Sequence, residues 1–169
     1  MSKKVRVAGI VKESIVDGPG IRYVVFAQGC KHNCPGCHNP ETHSFSCGDF
    51  VEIDDLICEM KQNPLLDGIT LSGGEPFEQA GAFGCLAIRA KEHGYNVMTY
   101  TGYTYEYIQG NMNEINGWAK LLSSTDILVD GKFDITKKSM LLKFRGSHNQ
   151  RIIDVKRSIE LNKIIEHQF

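Results

Sequence analysis

Hydrophobic and polar positions along this chain switch repeatedly between a strand-like and a helix-like period. The run IRYVVFAQGC at 21–30 is rich in β-branched and aromatic residues, which are typical of a β-strand. The segment IDDLICEMKQ at 53–62 places its apolar residues three and four positions apart, which indicates a helix. The same patterns predict further strands at 68–74, 96–102, 125–132 and 150–155, an edge strand at 5–16, and helical segments at 79–94, 105–112 and 157–167.

This alternation of strands and helices predicts an α/β fold with a mostly parallel sheet. In parallel sheets, ligands bind at the carboxyl ends of the strands. Several polar or small residues fall at the predicted strand ends, and we expect them to share one site. They are Cys30, Ser72 to Glu75, Thr101, Asp130 and Lys132.

Length and composition narrow the class of protein. The 169 residues suit a single domain over 1–169, with 41% apolar and 23% charged residues, as in ordinary globular proteins. A net charge of -1 argues against broad attraction to nucleic acid or to an anionic membrane. No apolar run approaches the roughly 20 residues needed to span a bilayer, and we see no signal peptide. We therefore expect a cytoplasmic protein.

Three of the six cysteines are clustered in GCKHNCPGCHNP, where Cys30, Cys34 and Cys37 have the spacing C-x3-C-x2-C. In a cytosolic chain, such clusters bind metal more often than they form disulfides. Structural zinc sites and ferredoxin-type clusters normally use four protein ligands, one more than this loop supplies in cysteines. Three nearby histidines keep a zinc site open as an interpretation. They are His32, His38 and His43.

A third interpretation is a 4Fe–4S cluster held by three thiolates, with one iron free to bind a small molecule. The remaining cysteines bear on this choice. Cys58 and Cys85 lie in helix-like apolar patterns, so we expect both to be small buried hydrophobic residues. Cys47 lies in the polar stretch HSFSCGD and is the candidate fourth ligand.

A second motif, TLSGGEP at 70–76, stands at the end of the next predicted strand. Together with the cysteine spacing, this Gly-Gly-Glu element resembles the radical S-adenosylmethionine (SAM) enzymes. The segments DGPGIRYVVFAQGC, TYTGYTYE and FRGSHNQRIIDV resemble the activating proteins of anaerobic (class III) ribonucleotide reductase, a branch of the glycyl-radical activases. The resemblance runs from about Val7 to Val155.

The resemblance implies an open, partial (β/α) barrel with a 4Fe–4S cluster on Cys30, Cys34 and Cys37. It implies that SAM chelates the fourth iron through its amino and carboxylate groups. Reductive cleavage of SAM would yield a 5′-deoxyadenosyl radical, which abstracts hydrogen from a glycine of the reductase. The implied partners are that reductase and a low-potential electron donor such as flavodoxin or ferredoxin, with neither nucleic acid nor membrane.

The resemblance also implies roles for individual residues. Ser72, Gly73 and Gly74 would let backbone polar groups approach the amino acid part of SAM, while Glu75 would accept from its amino group or hold the loop. The backbone of Gly36, Cys37 and His38 would lie near adenine, Asp130 and Lys132 near the SAM carboxylate, and Asp17 against the backbone of the substrate glycine. Many family members carry an aromatic residue where this chain has Gly36, so adenine stacking must come from elsewhere.

Two other functions stay open. The first is an activase of pyruvate formate-lyase or of another glycyl-radical enzyme, which the short chain and the segment FRGSHNQR disfavour. The second is a non-enzymatic iron–sulfur or zinc module that transfers electrons or binds a partner, which the Gly-Gly-Glu element disfavours. Few residues remain outside the predicted strands and helices to cover a radical site. This fits an enzyme whose mouth is closed by a protein substrate.

Overall fold

The computed structural model of the chain describes residues 3–169, and these form seven strands and five α-helices around one sheet. The strands are β1 (Lys4–Ser14), β2 (Arg22–Ala27), β3 (Asp49–Glu52), β4 (Gly68–Gly73), β5 (Asn96–Tyr100), β6 (Ile127–Asp130) and β7 (Arg151–Asp154). The helices are α1 (Ile53–Lys61), α2 (Ala80–Glu92), α3 (Tyr105–Asn111), α4 (Trp118–Ser124) and α5 (Val155–Leu161). None of the helices in this part of the chain is long and apolar enough to cross a membrane.

The strand order is β3-β1-β2-β4-β5-β6-β7, and only its centre is parallel. Strands β2, β4, β5 and β6 pair in parallel, whereas β1, β3 and β7 pair antiparallel to their neighbours. The predicted α/β class is confirmed, but the prediction of a mostly parallel sheet is wrong because the sheet is mixed. The cause at one end is local, since β1 turns back directly into β2 through the short loop 15–21. The barrel curvature stays a prediction.

The segment predicted as an edge strand forms β1, but it does not lie at the edge. Strand β1 pairs on one side with β2 and on the other with β3, the four-residue strand that forms the edge. Strand β3 has no buried residue, so it lacks the apolar alternation that would have predicted it. Helix α4 was also not predicted, because its seven residues are too few to show a clear period.

Helix α1 shows how the main core is built and corrects one expectation. Its residues Ile53, Leu56, Ile57 and Met60 are buried at the predicted helical spacing. Cys58 is exposed rather than buried, because successive residues of a helix point about 100° apart and Ile57 already faces the core. On α2, the prediction that Cys85 is buried is confirmed.

The two faces of the sheet carry different side chains. One face, which we call the helix face, joins strand residues such as Val25, Leu71 and Leu128 to the apolar sides of the helices in one large core. The opposite face, which we call the cavity face, holds a small separate cluster of Met98, Ile127 and Val129. Strand residues alternate between these faces because successive side chains of a strand point in opposite directions.

A buried arginine anchors the 15–21 loop beside the cavity face. Arg22 is 1% exposed, and its guanidinium donates to Thr70 Oγ1 at 2.7 Å and to the carbonyl of Ile69 at 2.8 Å. It also donates to the carbonyl of Pro19 at 3.1 Å, and Thr70 Oγ1 donates to the carbonyl of Asp17 at 2.8 Å. Burial lowers the pKa of Arg22 to about 10. Two loop carbonyls are thereby tied to the parallel strands.

Candidate active site

A cavity of about 490 Å³ lies where β2, β4 and β5 end at their carboxyl termini. It brings together most of the residues singled out in the sequence, from segments far apart in the chain. Of the predicted site residues, Asp17, Cys30, Cys34, Cys37, His38, Ser72, Gly73 and Gly74 line it. Gly36, Glu75, Asp130 and Lys132 do not line it.

The three clustered cysteines lie on a loop that follows β2 and is held by backbone hydrogen bonds. The amide of Gly29 donates to the carbonyl of Thr42 at 2.7 Å, and the amide of Cys30 donates to the carbonyl of His43 at 3.2 Å. Cys37 turns back on Cys34, whose carbonyl accepts from the Cys37 amide at 3.1 Å. All three thiols are free and partly exposed. The loop therefore presents three unpaired sulfurs to one cavity.

The surroundings of two of the cysteines, Cys30 and Cys34, disfavour their thiolate forms. Burial raises the pKa of Cys30 to about 11, with further increases from Glu75 and from the two other thiols. Burial also raises the pKa of Cys34, whereas the positive charge of Lys132 lowers it. A thiolate binds metal, so iron would displace the thiol protons on binding.

The candidate fourth ligand lies apart from the three clustered thiols. Within residues 3–169, no group of three or more His, Cys, Asp and Glu side chains is placed to hold a metal ion. The three thiols border one cavity. Cys47, the candidate fourth ligand, is exposed and does not line the cavity.

The two glycines of the Gly-Gly-Glu element pack against backbone. A Cβ built on Gly74 would lie 2.5 Å from the carbonyl oxygen of Gly29 and 2.9 Å from that of Ala27. Gly73 has φ +88°, and a Cβ there would lie 2.6 Å from the amide nitrogen of Ala27. The amide of Gly74 donates to the carbonyl of Ala27 at 2.8 Å. Glycine is thus required here for the close approach of the segment after β2.

The carboxylate of Glu75 is buried and fully hydrogen-bonded. Its Oε1 accepts from the amide of Phe77 at 3.0 Å and from Thr101 Oγ1 at 2.9 Å. Its Oε2 accepts from the amide of Gly102 at 2.8 Å and bonds His32 Nε2 at 2.7 Å. A carboxylate offers about four acceptor positions, and all are used by protein donors. Of the two roles predicted for Glu75, this geometry favours holding the loop.

Asp130 and Lys132, which the resemblance puts near the SAM carboxylate, both lie outside the cavity lining but differ in their surroundings. Asp130 is 1% exposed; its carboxylate accepts from Arg151 Nε at 3.0 Å and from the amide of Tyr105 at 2.8 Å. Residues of β6 alternate between faces, so Asp130 shares the helix-face side of Leu128 rather than the cavity side of Val129. Lys132 is exposed, close enough to Cys34 to influence the pKa of that thiol.

The 15–21 loop presents Asp17 to the cavity. The Asp17 carboxylate accepts a hydrogen bond from Ser14 Oγ, and its carbonyl is held by Thr70. Asp17 and Tyr100 both line the cavity. Burial raises the pKa of Tyr100, and the negative charge of Asp17 raises it further. The Tyr100 hydroxyl donates to the carbonyl of Phe144 at 2.6 Å. Asp17 is therefore held at the cavity through its carbonyl by Thr70 and through its carboxylate by Ser14.

The segment from Gly36 to His38 lies partly at the cavity, because Cys37 and His38 line it and Gly36 does not. Gly36 is exposed with φ +73°, and a Cβ there would lie 2.6 Å from Ile135 Cδ1. The exposed ring of His38 packs on Phe133, with 4.9 Å between ring centroids. Phe133 itself lines the cavity, so an aromatic side chain stands close to the segment predicted to contact adenine.

Sequence reasoning assigned no role to several residues that line the cavity. Two of the quoted segments, TYTGYTYE and FRGSHNQRIIDV, contain many of them, although no role could be read from the motifs alone. Met98 and Tyr100 are alternate residues of β5, and alternate residues of a strand point to the same face. This alternation could have placed Tyr100 on the face of Met98. His32, considered in the sequence only as a zinc ligand, also lines the cavity. The additional lining residues include Phe26, Tyr100, Gly102, Phe133, Phe144, Arg145 and Gln150.

Comparisons with known proteins identify the family of the chain. A family model described as a 4Fe-4S single cluster domain matches residues 16–153. The anaerobic ribonucleoside-triphosphate reductase-activating proteins of Salmonella typhi and Escherichia coli (strain K12) are each 34% identical over 145 residues, covering 80% of this chain and 90% of theirs. This chain belongs to the family of anaerobic ribonucleoside-triphosphate reductase-activating proteins.

Similarity within this activating-protein family extends to a virus. The activating protein of Enterobacteria phage T4 is 29% identical over 145 residues, which cover 81% of this chain and 86% of the phage protein. Among solved structures, QueE from Escherichia coli matches 60% of this chain with a TM-score of 0.44 and 15% identity, over 54% of its own length.

Proposed function

We propose that this chain is a radical SAM enzyme that generates the glycyl radical of an anaerobic ribonucleotide reductase. One observation carries the proposal: three free cysteines border a single cavity at the strand ends together with Ser72, Gly73 and Gly74. The family of the chain supports the reductase as the protein substrate, because its relatives are named for activating that reductase.

The residues that line the cavity fit an iron–sulfur cofactor and SAM. Cys30, Cys34 and Cys37 would hold a 4Fe–4S cluster through three thiolates and leave one iron for SAM. When bound and reduced, such a cluster would supply the electron for cleavage of SAM, which provides the chemistry for removing a hydrogen atom from the substrate glycine. The chain's own part is to bind, orient and shield these groups.

The other cavity residues would place the two substrates. Ser72 and the backbone beside Gly73 border the cavity next to the cysteines, where the methionine part of SAM would lie. Asp17 presents a carboxylate from the opposite loop, where it would accept from the amide of the substrate glycine. Aromatic side chains at the cavity, Phe133 among them, would supply the adenine contact that Gly36 lacks.

The rim of the cavity fits a protein substrate. Val16 and Leu142 line the cavity, and their neighbours Ile15 and Leu141 are 75% and 96% exposed. Large apolar side chains exposed around a cavity mark sites where another protein docks. The cavity is open to solvent in this chain alone. A docked reductase loop would exclude water from the radical formed there. A low-potential donor such as flavodoxin or ferredoxin would supply the electron.

The test is to mix reconstituted, reduced protein with SAM and the reductase of the same organism, then to record electron paramagnetic resonance spectra. We expect a carbon-centred radical with a doublet from the glycine α-hydrogen, formed only when protein, reductant and SAM are all present. Deuterated glycine in the reductase should collapse the doublet and move deuterium into deoxyadenosine. A doublet that arises with a formate-lyase-type partner, but not with the reductase, would overturn the assignment of the substrate.

A further inference from the structure

His32 is buried within the cysteine loop and faces the Gly-Gly-Glu element. It lies between Cys30 and Cys34 in the sequence, and its side chain is only 5% exposed. Its Nε2 lies 2.7 Å from Oε2 of Glu75, whose side chain is fully buried. Because an ionised carboxylate only accepts hydrogen bonds, Nε2 carries the proton in this pair. The loop that bears the cysteines is thus bonded to the segment after β4.

The ring of His32 is also confined on its other sides. It packs edge-on against Tyr103, with 4.5 Å between ring centroids. A Cβ built on Gly102 would lie 2.5 Å from His32 Cδ2, so the glycine leaves the space that the imidazole fills. The hydroxyl of Tyr103 in turn donates to Glu78. These contacts leave the imidazole one orientation, toward Glu75.

Glu75 extends this bond to a third strand end. The same carboxylate accepts from Thr101 Oγ1 at 2.9 Å and from the Gly102 amide at 2.8 Å, both just after β5. The loops after β2, β4 and β5 therefore meet at one buried carboxylate. Charge-assisted hydrogen bonds of this kind are about twice as strong as neutral ones.

We infer that His32 and Glu75 are a positioning pair that fixes the cysteine loop on the ends of β4 and β5, and that neither side chain binds iron or SAM. The inference rests on the proposed cluster and SAM site, but it concerns how the protein holds that site. All acceptor positions of Glu75 are taken by protein donors, and Nε2 of His32 is committed to Glu75. The pair differs in this respect from the thiols, which are free.

The experiment measures amide hydrogen exchange by mass spectrometry in the anaerobically reconstituted protein, in peptides that cover 29–34, 75–78 and 101–104. In His32→Ala, we expect exchange in all three peptides to rise by about tenfold or more, because a hydrogen bond to a charged group is lost. His32→Gln carries an amide N–H near the place of Nε2 and should restore most of the protection. His38→Ala, in the same loop but packed on Phe133, is the matched control and should leave the 101–104 peptide unchanged.

Gly102→Ala provides a second variant that keeps both members of the pair. Its added methyl group would push the imidazole away from Glu75, so exchange should rise in the same three peptides. If His32→Ala does not fold, Gly102→Ala and His32→Gln together provide the test. We then expect exchange to rise in Gly102→Ala and to stay close to that of the unaltered protein in His32→Gln. Equal exchange in Gly102→Ala and the unaltered protein would overturn the inference.

Iron content and the spectrum of the reduced cluster distinguish the other possible roles. We expect His32→Gln and Glu75→Gln to keep the iron content of the unaltered protein and the change in the cluster spectrum when SAM is added. Loss of iron in His32→Gln with unchanged exchange would make His32 a ligand. Loss of the SAM response in Glu75→Gln with unchanged exchange would make Glu75 a SAM contact. None of these readouts needs the reductase, so this inference can fail while the proposed function holds.

Discussion

The same seven strands form both faces of the sheet, but different interactions stabilise each face. The helix face is covered by apolar side chains that pack into one large core, so its stability comes from burial. The cavity face buries polar groups as well, among them Arg22 and Thr70, and each has a hydrogen-bond partner. The difference teaches that the site is built on the face where helices do not pack, with hydrogen bonds replacing part of the apolar core.

Cysteine substitutions should show the sharpest difference between the two faces. We expect Cys30→Ala, Cys34→Ala or Cys37→Ala to remove the iron–sulfur cluster almost completely, because each thiolate would hold one iron. Cys85→Ala on the helix face should keep its iron and lose only about 1 kcal/mol of unfolding free energy, since a small buried group is removed. Iron analysis and absorption spectra after anaerobic reconstitution measure both effects. A cluster retained in Cys30→Ala, or lost in Cys85→Ala, would contradict this assignment of the faces.

Leu86→Ala tests the apolar core of the helix face. Leu86 is fully buried on α2, so its truncation should lower the unfolding free energy of the metal-free protein by about 3 kcal/mol. Urea denaturation measures the change. Leu161→Ala, at an exposed position of α5, is the control and should change stability by less than about 0.5 kcal/mol. Similar losses in the two variants would mean that burial does not dominate this face.

Arg22→Lys tests the hydrogen bonds of the cavity face without removing the charge. Lysine cannot reproduce the fork that reaches Thr70, Ile69 and Pro19 together, so we expect a loss of about 2 kcal/mol in unfolding free energy. The 15–21 loop should also become more sensitive to limited proteolysis. Arg89→Lys, whose partner Asp54 is exposed, should have little effect by either measurement. A stable Arg22→Lys protein with a protected loop would refute the anchoring role.

Tyr100→Phe removes a single hydrogen bond from the cavity face. The Phe144 carbonyl would lose its donor, and we expect a cost of about 1 kcal/mol in unfolding free energy, with faster amide exchange in residues 140–148. Tyr107→Phe, with its half-exposed ring, is the matched control. If both variants behaved alike, the Tyr100 hydroxyl would contribute nothing to the cavity wall.

Leu141→Ser concerns the rim rather than the interior and should have the smallest effect. Leu141 is 96% exposed, so its replacement should leave stability unchanged but weaken binding of the reductase by about threefold to tenfold. Ile115→Ser is the control, because Ile115 is 95% exposed and, unlike Leu141, has no sequence neighbour that lines the cavity. Binding measured by interferometry under anaerobic conditions compares them. Equal affinities would remove Leu141 from the docking surface.

How much of the fold and of the site could be predicted depends on whether a feature is determined by neighbouring or by distant residues. Helix α1 and strands β2, β4 and β5 follow from local periodicity, and the cysteine loop from local spacing. Strand β3 could not be predicted, because an exposed edge strand needs no apolar alternation. Cys58 was misplaced because apolar neighbours in sequence need not share a helix face.

The details of the site depend on contacts between distant residues. His32 and Glu75 are 43 positions apart, and nothing in either local segment indicates the hydrogen bond between them. Asp130 was expected at the ligand because it ends a strand, yet its partner is Arg151 on the antiparallel β7. The pairing of β6 with β7 decides this, and strand order cannot be read from local pattern.

The packing of Gly73 and Gly74 has a consequence for how such signatures are interpreted in other chains. Backbone atoms of Phe26 and Ala27 occupy the space that a side chain on Gly73 would need, and the carbonyls of Ala27 and Gly29 occupy that of Gly74. This spacing of backbone permits only glycine, whatever molecule the cavity holds. A Gly-Gly pair followed by Glu therefore reports that two neighbouring strand ends are joined at close range. It identifies a scaffold. The chemistry performed on that scaffold has to be inferred from the cysteines and from the residues that border the cavity.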